Sequence, residues 1–462
     1  MREAEPAGDV SADHPASSAK DVEVVTAAAV EEGATVTFHS LVMRSDDDDP
    51  YSVVIGRPAT GEFLELPTAY GTLLDLLRDG MTIGAAQERL LACEGIEVEA
   101  GEFVDLLIEE GFVRAVGSRS VADPADGAPP PHLPRVTSRH VGWVFSTPMK
   151  ALWILLVCCA VATAVAQPGV VPRGADFFWT DYTGFAVLVN TVLFSASLSV
   201  HELMHLAAAR SLGCPGRIGF GTRLHNLVLQ TDVTAVWGLP RRRRYRVYLA
   251  GLVWDLGLLC VLILVLAHTP VNGVPRALLQ SLALAVLLCI PLQLQVYTRT
   301  DLYYVLRDLL RCRNLFDDGI AWSRHLAARL ASQLRRRPDK PADPTAELAP
   351  QHRRATRVYA CFLTAGTALA LSVAVFYGLP IALGVLFEAL SAMRAGLSGG
   401  PVLRAVDAGV LILVEGGIQV MFVITFVRGH PHWFRSRRRV AVRKEAQAAA
   451  PASDGRRSSE PV

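Results

Sequence analysis

Ser197-Leu198-Ser199-Val200-His201-Glu202-Leu203-Met204-His205-Leu206 lies inside an apolar segment that runs from about Tyr182 to Leu212. On a helix, positions i and i+4 share a face, so His201 and His205 can offer imidazole nitrogens to one ion. Glu202 is close enough to take a proton from a water held at that ion. Two His ligands and a general base on one turn form the pattern of a hydrolytic zinc site. The bland alternative is a pair of satisfied core histidines beside a snorkelling glutamate. Three ionisable groups on one turn of a membrane helix are costly, however, and such groups are functional by default.

Composition sets the class. Hydrophobic residues make up 51% of 462 positions, and mean hydropathy is +0.31. Apolar runs at about 148–167, 182–210, 246–267, 276–298, 357–386 and 405–427 each exceed the ~18 residues that cross a bilayer. The expectation is an α-helical polytopic protein of the cell membrane with about six transmembrane helices. A net charge of +1 decides little, because the charges are segregated along the chain. Arg173 stands in the first loop, Arg276 in the third, and Arg394 and Arg404 in the fifth. The second loop holds Arg241 to Arg244, the fourth Arg335 to Arg337, and the tail Arg437 to Arg439. Basic loops alternate without exception, which puts both termini in the cytosol. These Arg runs set topology, and no nucleic acid is expected as a partner. Met1 to Lys20 has no apolar core, so no signal peptide is expected there. Eight cysteines include no CxxC pair, which argues against a disulfide framework or a Cys-type zinc site.

Residues 1–36 are rich in Ala, Glu, Asp, Ser and Gly without period, and are expected to be disordered. Thr35 to Val42 then alternates loosely, Asp46 to Pro50 makes a charged turn, and Tyr51 to Ile55 and Gly61 to Leu66 read as strands. Helical patterns follow at Thr68 to Arg78, Thr82 to Cys93 and Ala100 to Glu110, punctuated by Asp79-Gly80 and Gly95. Gly111-Phe112-Val113 returns to extended chain. Residues 37–118 thus form a small α+β domain, residues 119–145 a Pro-rich linker and residues 146–430 the six-span domain, with a cytosolic loop at about 303–356. A basic, disordered cytosolic tail occupies 431–462.

Catalytic zinc takes three protein ligands and keeps one position open. His225 and Asp232 fall in a polar loop. Asp255 in the third span, Asp301 at the close of the fourth and Glu415 in the sixth remain as candidates, and charge and depth do not choose among them.

The run "Gly-x-Phe-Leu-x-Leu", "Leu-Leu-x-x-Leu-x-Asp-Gly" and "Leu-Leu-x-x-x-Gly-Phe-Val" over roughly 37–118 resembles the PqqD-like family. Those small winged-helix modules bind leader peptides of ribosomally made, modified peptides. A second resemblance spans roughly 140–430. His-Glu-x-x-His, the Tyr248-Leu249-Ala250-Gly251-Leu252-Val253-Trp254-Asp255 stretch and the Asp301-Leu302-Tyr303-Tyr304-Val305-Leu306-Arg307-Asp308 stretch are together similar to the site-2 protease family, in its peptide zinc metalloprotease branch. The resemblance implies Zn2+ held by His201, His205 and Asp301, with Glu202 as general base. Asp255 takes the place of a family Asn and is expected to stand behind a metal ligand or to touch substrate. Leu302 takes the place of a family Gly, a residue that relaxes the backbone and leaves room beside the metal. That departure bears on activity more than on fold.

The expected activity is that of a membrane zinc endopeptidase acting on a peptide or membrane-protein substrate, in maturation or export of a ribosomally made peptide. Its partners would be the lipid bilayer and an exporter or peptide-modifying enzymes. Two alternatives are a non-proteolytic accessory protein that binds a modified peptide for export or immunity, and a regulatory site-2 protease in signalling. The topology is testable with a reporter active only outside the cell. Fusions near Val171, Asn272 or Leu397 should be active and fusions near Gly238, Pro341 or Pro451 silent; activity at Pro341 would reverse the orientation.

Overall fold

A computed structural model describes residues 31–45, 51–123, 130–312, 314–335, 342–346 and 348–429. The disorder expected of residues 1–30, the charged turn at 46–50 and the basic tail at 431–462 lie outside the described residues. The chain divides into two compact units, residues 1–129 and 130–462.

The first unit runs β1 (Val36–Phe38), β2 (Val42–Ser45), β3 (Ser52–Arg57), β4 (Glu62–Pro67), α1 (Thr68–Arg78), α2 (Ile83–Glu94), α3 (Ala100–Glu109), β5 (Val113–Val116) and β6 (Arg119–Ser120). Strands β2, β3 and β4 form an antiparallel meander, and β5 pairs with both β1 and β6. The expected order, strands first and three helices after, is the observed one. Leu73, Leu74 and Leu77 put the apolar stripe of α1 into a core shared with Ile55, Leu107 and Phe112, all fully buried. Helix α2 starts where the Thr82 hydroxyl accepts the Ala85 N–H and stops where Gly95 adopts φ 67, a left-handed conformation that costs glycine little.

The unit is larger than the 37–118 expected. Ile83 N–H donates to Ala34 O and Gly84 N–H to Glu32 O. At the other end Val121 is buried, and both Nη atoms of Arg57 donate to the Asp123 carboxylate at 2.6 Å. A sequence window sees polar residues there and reads linker, because the guanidinium that claims Asp123 lies 66 residues earlier.

The second unit also begins inside the expected linker. His132 N–H donates to Gly216 O, and the His132 carbonyl accepts from Arg210. A short α4 (Ser138–Val141) precedes α5 (Thr147–Ala166) and α6 (Thr183–Ser211). A hairpin follows, β7 (Arg217–Arg223) and β8 (Asn226–Asp232), then α7 (Arg241–Tyr248), α8 (Ala250–His268), α9 (Gly273–Leu292), α10 (Asp301–Leu309), α11 (Leu315–Leu334), α12 (Pro350–Val373), α13 (Leu379–Leu397) and α14 (Val402–Gly429). Among the described residues six helical stretches are long and apolar enough to cross a membrane. Their outward faces carry exposed Leu, Val, Ile and Phe.

Four details depart from the linear reading. The third span breaks at Leu249, which separates the Arg-rich α7 from the apolar α8. The fourth ends at Leu292, just after Pro291, so Asp301 opens α10 rather than closing the span. The polar stretch after α6 is an antiparallel hairpin in register from Arg217↔Asp232 to Arg223↔Asn226. The fifth span continues to Leu397, for 48 residues in all. A single π turn at Ala374–Gly378 interrupts it just before Pro380, whose missing N–H breaks the regular ladder.

Helix α6 is the hub, packing on α8, α9, α14 and β8. Asp407 of α14 caps its first turn, accepting from Gly184 N at 3.0 Å and Phe185 N at 2.7 Å. The buried Asn190 accepts from Trp179 Nε1 and Ser281 Oγ and donates to Phe177 O, so no polar atom of the amide is wasted in an apolar setting. Close approach of α5 and α8 depends on glycine: a Cβ at Gly257 would fall 1.6 Å from the Trp153 ring. Gly257→Val should therefore destabilise the unit by about 1–3 kcal/mol. The shift would be read as a lower melting temperature in detergent, while the same change at Gly416, with open space around it, should be close to neutral.

Candidate metal centre

His201 and His205 sit one turn apart on α6, both buried at about one-twentieth exposure. Their rings face the start of α10, 100 and 96 residues away in sequence. His201 Nε2 lies 3.2 Å from Asp301 Oδ2, His205 Nε2 lies 3.1 Å from the same oxygen, and the two Nε2 atoms are 3.2 Å apart. The other ring nitrogens are already engaged. His205 Nδ1 is 2.7 Å from Val247 O, and a carbonyl only accepts, so the proton is on Nδ1. His201 Nδ1 is 2.8 Å from the buried Asp255 carboxylate. Both Nε2 lone pairs therefore point at Asp301 and at each other, an arrangement that a cation relieves.

The fit to an ion can be tested on these distances. Donors bound tetrahedrally at 2.0–2.1 Å stand about 3.3 Å from one another, and the triangle here has edges of 3.1–3.2 Å. Space beside it comes from Gly251 at the start of α8. A Cβ there would lie 2.3 Å from His201 Nε2 and 2.5 Å from His205 Nε2. Of the five acidic or imidazole candidates considered for the third position, the structure brings Asp301 into the triangle. Asp255 holds His201 from behind, as carboxylates do for ligating imidazoles. Glu415 on α14, His225 and Asp232 are not in the triangle, and all three side chains are exposed.

Asp301 is delivered by a tight turn. Arg299 adopts φ 59, Thr300 Oγ1 donates to Gln293 O at 2.7 Å, and Asp301 N donates to Gln293 Oε1 at 3.2 Å. Leu302, expected to strain the backbone where the family has Gly, is an ordinary helical residue of α10. The left-handed residue is Arg299 and the clearance is at Gly251, so neither demand falls on position 302.

Helix α10 is fixed from behind by an ionic frame. The Asp308 carboxylate lies 3.5 Å from Arg244 and 3.3 Å from Arg307, all three residues being buried. Arg307 also donates to the Tyr248 hydroxyl and stacks 4.2 Å above the Trp237 ring. Burial pushes the Tyr248 phenol up, so it stays a neutral donor or acceptor beside the site.

Glu202 points elsewhere. Its Oε2 accepts from Thr231 Oγ1 of β8 at 2.7 Å, and its side chain borders two cavities. One of about 310 Å³ also touches His205, Asp301 and Trp237; the other, about 720 Å³, extends along Phe194, Leu292 and Leu369. Thr231, Gly251, Gln293 and the Val247 carbonyl escaped the linear reading. The apolar run Leu227-Val228-Leu229 is the one local hint of a strand in that loop, but which side chain meets Glu202 depends on how the hairpin docks. No family model, curated protein or solved structure matches the chain.

Gly251→Ala places a methyl carbon between the two Nε2 atoms. The purified variant should keep its helical content and lose bound divalent metal, to below about a tenth of the parent's occupancy by elemental analysis; full occupancy would show that the ion, if bound, sits elsewhere.

Proposed function

We propose that the chain is a membrane-embedded, zinc-dependent endopeptidase centred on His201, His205, Asp301 and Glu202. The observation that carries this reading is the triangle of two imidazole nitrogens and one carboxylate oxygen with tetrahedral edge lengths. Two nitrogens and an oxygen suit zinc among the available divalent metals. A zinc ion held there supplies Lewis acidity, bringing the pKa of a water toward ~7 and polarising a peptide carbonyl.

The chain's own groups supply the rest. Glu202 takes a proton from the attacking water and passes it to the leaving amine. The Thr231 hydroxyl holds the Glu202 carboxylate at the border of both cavities. Asp255 and the Val247 carbonyl hold both imidazoles with Nε2 forward. A helical substrate hides its amides in internal hydrogen bonds, so the scissile segment enters extended or unwound, and the 720 Å³ cavity has the volume for several residues.

The alternation of basic loops supports a cell-membrane location with both termini in the cytosol, and the metal centre near that side. A cytosolic winged-helix module on the same chain would raise the local concentration of a leader-bearing peptide to the order of mM. This favours maturation or export of a ribosomally made peptide over signalling, with an exporter or modifying enzymes as partners. Two departures from the family pattern, Leu302 and Asp255, favour a non-proteolytic accessory protein; the ordinary helical backbone at Leu302 and the contact of Asp255 with His201 Nδ1 are compatible with a working site.

The test separates ligands from base. His201→Ala, His205→Ala and Asp301→Ala should lose metal and cleavage together. Glu202→Gln keeps size and hydrogen-bonding reach but cannot accept the proton. It should retain metal and cleave slower by ~10²–10⁴-fold, the loss typical of a general base. Parent protein without stoichiometric metal, or Glu202→Gln at full rate, would sink the endopeptidase reading.

A further inference from the structure

The two cavities that flank the metal triangle share three residues: Glu202, Asp301 and Arg223. The first two already have roles. Arg223 has none, yet it is the only Lys or Arg that lines either cavity among the described residues. It is half-buried at the end of β7. Among the described residues its guanidinium meets no carboxylate within ion-pair distance and no hydrogen-bond acceptor. A guanidinium between two cavities and without a partner is a cation waiting for an anion, and its planar fork matches a carboxylate in two parallel hydrogen bonds.

The register of the hairpin says how far that anion lies from the reacting bond. Thr231, which holds Glu202, is opposite Ile218, whereas Arg223 is opposite Asn226. Five residues of antiparallel strand separate the two positions, about 17 Å along the backbone. Arg223 lines both cavities, and its side chain can close at most roughly 6–7 Å of that distance, which leaves about 10–17 Å. The gap is too large for Arg223 to steady charge on the reacting carbonyl, which needs donors at about 3 Å. It corresponds instead to about three to five residues of an extended peptide. The wall of the wide cavity includes Phe194, Leu198, Leu292 and Leu369, which suit apolar side chains, beside polar Ser197, Asn226, Gln293 and Thr298.

We infer that Arg223 is a specificity-determining residue that binds a substrate carboxylate about three to five residues from the scissile bond, so that the preferred substrate is an apolar peptide with one acidic group at that distance. This rests on the endopeptidase reading for the identity of the channel, but its test does not require cleavage. The carboxylate could come from an Asp or Glu side chain or from a free C-terminus, and two arms distinguish them.

Full-length, zinc-loaded Glu202→Gln protein in detergent would be titrated with fluorescent twelve-residue apolar peptides followed by anisotropy. In one arm a single Asp is walked along C-terminally amidated peptides, each paired with its Asn isostere. In the other, all-neutral peptides carry a free or amidated C-terminus. At one or two adjacent registers the carboxylate should tighten binding about 10-fold or more over its amide partner. Adding Arg223→Gln should erase that preference while leaving the all-neutral amidated peptide bound as before, and Arg223→Glu should shift the preference to Lys. A carboxylate preference that survives Arg223→Gln, or the lack of any register where acid binds better than amide, lack of binding included, would overturn the proposal. Metal content and Glu202-dependent cleavage, measured separately, report on the endopeptidase reading.

Discussion

Two imidazole nitrogens and one carboxylate oxygen stand within 3.2 Å of one another in a nearly dry helical setting. Lone pairs so arranged repel unless a proton or a metal cation sits among them, and burial raises the cost of leaving them unpaired. Most of the second unit can be understood as meeting that constraint. Asp255 and the Val247 carbonyl occupy both Nδ1 atoms, leaving the rings no other way to turn. Gly251 withholds the one carbon that would fill the space.

The carboxylate must arrive from a different helix, and its position is set with comparable care. Asp301 begins α10 after a turn clamped by Gln293, and α10 is held from behind by Asp308 between Arg244 and Arg307. Two arginines against one aspartate leave an excess positive charge. The Trp237 and Tyr304 rings against Arg307 absorb part of that cost through their π faces. On the metal-site reading such stiffness matters, because a misplacement of about 1 Å in a ligand is enough to cost a site its metal or its rate.

The remaining architecture serves α6. Asp407 caps its start, Asn190 ties its middle to α9 and to the chain before it, and Thr231 meets Glu202 near its end. These polar contacts join elements as far apart as residues 184 and 407. In an apolar environment such bonds orient helices that dispersion alone would leave free to rotate. The π turn in the long fifth stretch lies beside the wider cavity, where a break in the helical ladder changes which side chains face inward.

The linear sequence determined the class, six apolar stretches, the strands-then-helices order of the first unit and the pair His201 and His205, because all depend on composition and on periods of two and 3.6 residues. Helical spacing alone put those imidazoles on one face. The tertiary structure decided what spacing could not express. Asp255, Asp301 and Glu415 are alike in charge and comparable in setting, and only the packing of α10 and α8 against α6 separates the residue in the triangle from the one behind His201 and the one outside. Leu302 looked costly as a departure from a motif, until the backbone put the left-handed turn at Arg299 and the clearance at Gly251. Thr231 and Arg223 belong to a hairpin that the linear reading took as a polar loop, because its pairing and docking depend on long-range contacts. The ends of the first unit were misjudged for the same reason: Asp123 reads as linker until Arg57 closes on it across the fold. Local periodicity is encoded in neighbours along the chain, whereas a site is encoded in neighbours across it.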